Sequence, residues 1–452
     1  MWVESLHLEN FRNYKHAAIR FSPAQNLILG DNGQGKTNLL EAIYLLSHAR
    51  SHRSSDDREL MLQAPQKALN DASLWSGTDS LEQDASVLEV SEQLWAKVTA
   101  MLRSDSGLGE GVLEARIRID AAGRLKTGFV WNGVTLKSRS AVLGHVPTVS
   151  FFLPDLLLLR GTPEDRRRWL DAAIVQYDPN HLPLLTEFLK IRQQKSRLLK
   201  AYFENPNPDH LRVWNTQFAL SAARVIASRL SYLSSIAELA ANQYRSLSDG
   251  AEGLSIAYKT NVCGDVLKLG IDPLPTVEKL HDLLQQHLND RMQDEIRRGT
   301  CLVGPHRDDI SFFLDTLPAE AYGSQGQQRG IVLALKLAEL IRLSEKLGEA
   351  PILLMDDVMA ELDPKRQRLL LEHIQPGSQM FLTTTHSNTS WWERLQHTVS
   401  PKSEAIWSGT EIFKVTRGHV ENFPPEKLAA FDRNEAVLPE QELVSGSVLE
   451  NE

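Results

Sequence analysis

The 452-residue chain is 42% hydrophobic and 24% charged and carries a formal net charge of −9. That length accommodates two or three domains with a large core. No run is apolar enough to span a membrane, and the acidic balance confines any nucleic-acid contact to local basic patches. The N-terminal MWVESLHLENFRNY lacks the pattern of a signal peptide, and the two cysteines, Cys263 and Cys301, form no CxxC. A disulfide framework or zinc site is thereby disfavoured, and a reducing cytoplasm is the expected compartment.

In chain order, VESLHLENF and HAAIRF predict short strands, and NLILG predicts a buried strand ending in glycine. KTNLLEAIYLLSHAR places Leu39, Leu40, Ile43 and Leu46 on one helical stripe. From about Gln63 to Gln93 the chain turns polar and acidic, which predicts an inserted mobile segment with a short helix around Leu88 to Met101. VLEARIRID and TGFVWNGV predict strands, the first ending near a turn at Ala122-Gly123. Between about Glu164 and Arg298 the pattern is helical, broken by the prolines of NPNP at Asn205 to Pro208. The segment is too interrupted for a long coiled coil, so a helical arm is expected. Strands return at DISFFLD, PILLM and QMFLTTT, with helices after YGSQGQQRG and from Pro364 to His373. The expected organisation is a head in two parts, 1–155 (with the insertion at 63–93) and 301–420, an arm at 156–300 and a loose tail at 421–452.

Three clusters carry chemistry. GDNGQGKT (Gly30, Asp31, Asn32, Gly33, Gln34, Gly35, Lys36 and Thr37) fits the phosphate-loop pattern G-x-x-x-x-G-K-[ST] between a strand and a helix. Its glycines let backbone N–H groups curl around phosphate oxygens, Lys36 reaches the β/γ-phosphates, and the Thr37 hydroxyl ligates Mg²⁺. ILLMDD ends a buried strand with Asp356 and Asp357. Two acids there could cap the next helix or face water. Beside a phosphate loop, the first holds Mg²⁺ and the second orients or deprotonates a water. His386, after LTTT, is either a polar loop residue or a γ-phosphate contact placed beyond a strand end. In YGSQGQQRG, Ser324 and Gln327 have capping-box spacing, surrounded by more glycines, glutamines and arginine than a cap requires.

The order GDNGQGKT, SQGQ, ILLMDD, ELD, TTTH resembles the ATP-binding-cassette heads of chromosome-maintenance ATPases. With LENFRNY, RSHRSSDDREL, EDRRRWLD and VGPHRDD, it looks most like the RecF family of bacterial replication and repair ATPases over about residues 1 to 420. The resemblance implies an α/β P-loop head with mixed sheets and an inserted helical arm. It implies ATP and Mg²⁺ as ligands, and a homodimer that sandwiches two ATP molecules. Ser324, Gln325, Gly326 and Gln327 would then be a signature facing the partner's nucleotide, Asp363 the dimer-facing loop and His386 the switch histidine. Asp357 stands where transporter ATPases carry glutamate, which implies slow hydrolysis and a switch-like use of ATP. The family's roles are sequence-independent binding of gapped and single-stranded DNA, work with recombination mediator proteins and SOS induction. The chain departs from the family's pattern at the 63–93 segment and at FFLPDLLLLRG, where the family reads Phe-Ser-Pro-Glu-Asp. Asp155 or a neighbour would there couple nucleotide to arm.

Candidate DNA contacts are Arg166, Arg167, Arg168, Arg192, Lys195, Arg197, Lys200, Arg297, Arg298 and Arg307, although for any one of them a solvated helix face is the simpler reading. A chromosome-tethering ATPase would show long heptad arms, and a transporter subunit would place the signature much closer to the phosphate loop.

Overall fold

The first strands form where apolar residues alternate. β1 (Trp2–Phe11) and β2 (Tyr14–Arg20) make a hairpin, and β3 (Gln25–Leu29), wholly buried, leads through the phosphate loop into α1 (Lys36–His48). A computed structural model describes residues 1–54, 56–62, 95–104, 109–120, 123–204, 206–260, 262, 267–269, 273–372, 374, 378–385 and 409–423. The insertion at 63–93, His386, Cys263 and the tail beyond 423 lie outside the described residues. β4 (Trp95–Arg103), β5 (Gly111–Ile119), β6 (Leu125–Trp131) and β7 (Val134–Thr135) join the hairpin in an antiparallel sheet, ordered β2-β1-β4-β5-β6-β7. The helix expected up to Met101 is therefore wrong where residues are described. Ala96, Val98, Ala100 and Leu102 point inward at period two, and β4 pairs with both β1 and β5.

β8 (Thr148–Phe152) precedes the arm helices α2 (Pro163–Tyr177), α3 (His181–Ala201) and α4 (Pro208–Leu247). Asn207 caps α4 by accepting from His210 N–H at 2.9 Å, and Pro208 holds its first position. Its 40 residues span about 60 Å. Packing against α3 on one side and later helices on others is what stabilises so long a helix. The segment expected to form a helical arm, 156–300, is not purely helical. β9 (Leu254–Lys259) and β10 (Leu267–Lys268) come before α5 (Val277–Asp290) and α6 (Met292–Arg298), and β9 pairs with β11 (Asp309–Leu314), which continues to β12 (Leu317–Pro318). The short apolar run LSIAYK was too brief to stand out among helices.

α7 (Ala319–Tyr322) and α8 (Gln325–Leu347) follow, then β13 (Ile352–Asp356), α9 (Val358–Glu361), α10 (Pro364–Glu372), β14 (Met380–Thr384), β15 (Glu411–Thr416) and β16 (His419–Asn422). The central sheet is ordered β16-β15-β3-β14-β13-β8; all but β16 run parallel. Its side chains alternate between two cores. Leu27, Leu353, Met355 and Leu382 face α4 and α8, whereas Ile28, Ile352, Leu354 and Phe381 face α1 and the antiparallel sheet. Because these strands are parallel, the carboxyl ends of β3, β13 and β14 open at one edge, where ligands of such sheets bind.

Candidate nucleotide site and signature helix

At that edge the phosphate loop closes under two hairpin turns. Gly33 and Gly35 have φ of 78° and 118°, left-handed values that bulkier residues resist. Asn13 Nδ2 donates to Gln34 O at 2.8 Å, and Tyr14 OH donates to Gly35 O at 2.9 Å. From the far end of the chain, Gly418 N–H donates to Gln34 O at 3.0 Å and Arg417 N–H donates to Gln34 Oε1 at 2.7 Å. Asp31, Asn32 and Gly33 form the exposed rim, while Gly30, Gly35 and Lys36 are buried.

Lys36 Nζ donates to the carbonyls of Gly30 at 2.6 Å and Asp31 at 3.1 Å. Burial pushes its ammonium below the usual lysine range against the opposing pull of Asp357, Asp356 and Asp31. The Thr37 hydroxyl donates to the Asp356 carboxylate, 2.8 Å from one oxygen and 3.0 Å from the other. Thr383 Oγ1 donates to Asp356 Oδ1 at 2.7 Å and accepts from Asp357 N–H at 3.0 Å, so one hydroxyl holds both acids. Asp357 itself has φ 52°, and burial raises its carboxyl despite Lys36, with Asp356 adding to the rise. Phosphate loop and acidic pair thus form one cluster.

Ser324 and Gln327 do form the capping box: Ser324 Oγ accepts from Gln327 N–H at 3.2 Å, and Gln327 Oε1 accepts from Ser324 N–H at 2.7 Å. The surrounding polar groups have structural partners. Gln328 Nε2 donates to the carbonyls of Ala319 and Gly323, both at 3.1 Å, and Arg329 Nη1 donates to Glu361 O at 2.8 Å. Gln327 Nε2 reaches Glu252, and Arg366 Nη2 reaches Gly326 O at 2.7 Å. Ser324 and Gln325 remain exposed. Among the described residues, none of the hydrogen bonds of 324–327 goes to residues 30–37. Asp363 Oδ1 accepts from Arg366 N–H at 3.0 Å ahead of α10, as an N-cap does. Asp155 Oδ2 accepts from Phe152 N–H at 2.9 Å and lies 3.8 Å from Lys336 Nζ, and Arg160 Nε donates to Gln328 at 2.7 Å. The stretch after β8 is therefore attached to α8.

Two of the candidate DNA contacts are structural. Arg166 is buried and bidentate to Asp309, at 2.7 and 2.8 Å, and Lys195 is fully buried 2.7 Å from Glu295. Their spacing along helices looked like a solvent-facing stripe because neither acid is near in sequence. Arg167 Nη1 donates to Asp308 O at 2.6 Å. Arg197, Lys200, Arg297, Arg298 and Arg307 are exposed, and Lys200 lies against Gly299 where α3 meets the end of α6. Thr383, Asn13, Tyr14, Arg417 and Gly418 had no assigned role in sequence. Their only signals were the threonine run and the NFRNY stretch. In that stretch Arg12 is bidentate to buried Glu41, at 2.7 and 2.8 Å, and Ser51 Oγ donates to the same Glu41 at 2.5 Å, so NFRNY and the RSHRSS stretch meet on α1.

A parallel sheet with a phosphate loop after β3, paired acids after β13 and a serine-capped helix beside the arm defines an α/β head of the ATP-binding-cassette class. Residues 2–400 match the RecF/RecN/SMC N terminal domain. The chain is 38% identical over 388 residues to the DNA replication and repair protein RecF of a Cyanothece sp., covering 85% of this chain and 92% of that one. The RecF protein of Acaryochloris marina is 38% identical over 390 residues, covering 85% and 93%. A solved structure of the recombination mediator protein RecF with ATP in the RecFOR pathway matches with a TM-score of 0.75 at 29% identity, covering 94% and 98%. The chain belongs to the RecF family. Among the described residues, no helix is long and apolar enough to cross a membrane.

Proposed function

We propose that the chain is an ATP-operated switch of DNA replication and repair, which pairs head to head with a second copy on gapped or junction DNA. The observation that carries this reading is the joint of Thr37, Asp356 and Thr383, which brings phosphate loop and acids together at the open edge of the sheet. Backbone N–H groups of the Gly33–Thr37 turn receive the phosphates, and Lys36, already stripped of water, turns from its carbonyl partners to their charge. Thr37 and Asp356 offer the hard oxygen donors suited to Mg²⁺ and would hold it, and the ion would supply charge neutralisation for the bound phosphates. Asp357, one methylene shorter than a glutamate and held by Thr383, orients the attacking water, and hydrolysis is slow. The exposed Ser324 and Gln325 at the mouth of α8 face the nucleotide of the second copy. His386 is assigned the γ-phosphate contact on sequence alone.

For DNA, the exposed arginines and lysines at the junction of α3 and α6 neutralise phosphates without reading bases. Recombination mediators, recombinase loading and SOS induction follow from the family's roles. The test is sedimentation of the purified protein with and without ATP, alone and with a gapped duplex. ATP should produce a dimer that shifts further on the duplex, and Lys36→Ala should abolish both nucleotide binding and dimer. A wild-type chain that stays monomeric in every condition overturns the reading.

A further inference from the structure

We propose that Glu252, in the turn after α4, is a positioning residue that sets the mouth of α8, so that the arm and the signature group move as one unit. The inference rests on the reading of Ser324 to Gln327 as the face offered to a second copy's nucleotide. An ordinary capping box leaves the amide nitrogen of its glutamine to water. Here Gln327 Nε2 donates to Glu252 Oε1 at 2.5 Å while its Oε1 caps Ser324. Glu252 is in turn oriented from the other side, where its Oε2 accepts from Tyr244 OH at 3.0 Å. Tyr244 belongs to the last turns of α4, and its ring lies under α8: a Cβ added at Gly330 would come within 3.3 Å of it.

A second strap runs alongside, with Lys365 Nζ 2.6 Å from Asp249 and the neighbouring Arg366 on Gly326 O. The arrangement explains the residue type at 327. A glutamate would complete the capping box equally well, but its second oxygen would meet the Glu252 carboxylate. It also gives the arm mechanical access to the signature. Arg229, midway along α4, grips Asp171 of α2 at 2.8 Å and Pro305 O at 2.8 Å, so α2 and the stretch before β11 are tied to the helix whose end carries Tyr244 and Glu252.

The test compares Glu252→Ala, Glu252→Gln, Gln327→Glu and the exchange Glu252→Gln with Gln327→Glu. For each variant, ATP-dependent dimerisation, nucleotide affinity at protein concentrations that keep the chain monomeric, and thermal unfolding are measured. Losing a hydrogen bond to a charged group should weaken dimerisation by Glu252→Ala roughly tenfold or more, with monomer affinity for ATP unchanged within about twofold. Glu252→Gln keeps an acceptor and should fall between Glu252→Ala and wild type. Gln327→Glu should be the worst, and the exchange, which puts an amide back opposite a carboxylate, should recover most of the loss. Glu252→Ala dimerising like wild type, or an exchange no better than Gln327→Glu, overturns the role of Glu252 while leaving the sandwich standing. A wild-type chain that does not dimerise with ATP overturns the sandwich and this inference with it.

Discussion

Replacing Thr383 by valine tests the site at the hydroxyl that bonds to both acids. The side chain is 0% exposed, and valine matches its shape, so the change adds almost no cavity and removes only the hydroxyl. Two bonds go: the donation to Asp356 at 2.7 Å and the acceptance from Asp357 N–H at 3.0 Å. A hydrogen bond to a carboxylate contributes about 1.5–3 kcal/mol, and a buried N–H left without a partner costs about 1–3 kcal/mol. These terms share one atom and do not add in full, so a loss of about 3 kcal/mol in stability is the working figure. The effect on chemistry is separate. Asp357 is held in a left-handed conformation that costs an ordinary residue roughly 1–2 kcal/mol, and the Thr383 bond is part of what keeps it there. Once released, the carboxylate leaves its position beside Lys36, and ATP turnover should fall at least about tenfold, the equivalent of about 1.4 kcal/mol. Among the described residues no hydrogen bond joins Thr383 directly to Lys36 or to the Gly30–Thr37 loop, so ATP affinity should fall less than turnover does. Phosphate release in the presence of DNA, titration with a fluorescent ATP analogue and urea unfolding read the three quantities, and Thr383→Ser should restore all of them. A valine variant with wild-type turnover and stability would refute the assignment of Thr383 as the joint.

Gly418→Ala should cost nucleotide affinity, because its Cβ would lie 2.3 Å from the Asn13 carbonyl oxygen at a φ of +78°. Gly133→Ala, with φ +81° and nothing within 4 Å, should cost roughly 1 kcal/mol of stability and leave ATP binding alone, as calorimetric titration of both would report. Arg166→Ala should destabilise by roughly 1–3 kcal/mol in urea, because it leaves the partly buried Asp309 with Ile310 N–H but no cation. Joint replacement of Arg197, Lys200 and Arg297 by alanine should instead leave stability nearly unchanged and flatten the salt dependence of DNA binding by about 0.9 per lost phosphate contact. Burial, with Arg192, Arg307 and Arg167 nearby and a backbone bond to Cys301 O opposing, lowers His306 to about 4. A depressed folded pKa means the unfolded chain binds the proton more readily, so this contribution is full above pH 6.5 and is lost as pH falls from there toward 4. His306→Gln should remove that part of the acid sensitivity, seen as a stability difference from wild type that narrows between those limits.

Much of the head was legible because its signals are local. The phosphate loop, the apolar run before Asp356 and the cap at Ser324 each lie within a few residues, and each sits where strand-to-helix order requires. What escaped was non-local. β4 alternates at period two but follows a polar segment that drew it toward a helical reading. β9 is six residues long inside a helical region. Arg166 and Lys195 looked like solvent-facing charges because their partners, Asp309 and Glu295, are a hundred or more residues away in sequence. The surplus polar groups around Ser324 also depended on distant partners: Glu252, Glu361 and the turn before α8 account for them. Thr383 is the clearest case, since a threonine in an apolar strand carries no mark of the two acids it joins.

The phosphate loop is gripped by Asn13 and Tyr14 from one end of the chain and by Arg417 and Gly418 from the other. β3, at its root, lies between β14 and β15. A ribosome that has just released residue 37 must therefore still make the strands that flank the loop and the turn that closes it. At roughly 5–20 residues per second, that delay is on the order of tens of seconds. Through that interval the nascent chain holds the phosphate-loop sequence without its frame. The frame of the loop is completed late in synthesis, and a chain cut short before β15 carries the motif and both acids but lacks the strand beside β3 and the turn that closes on Gln34.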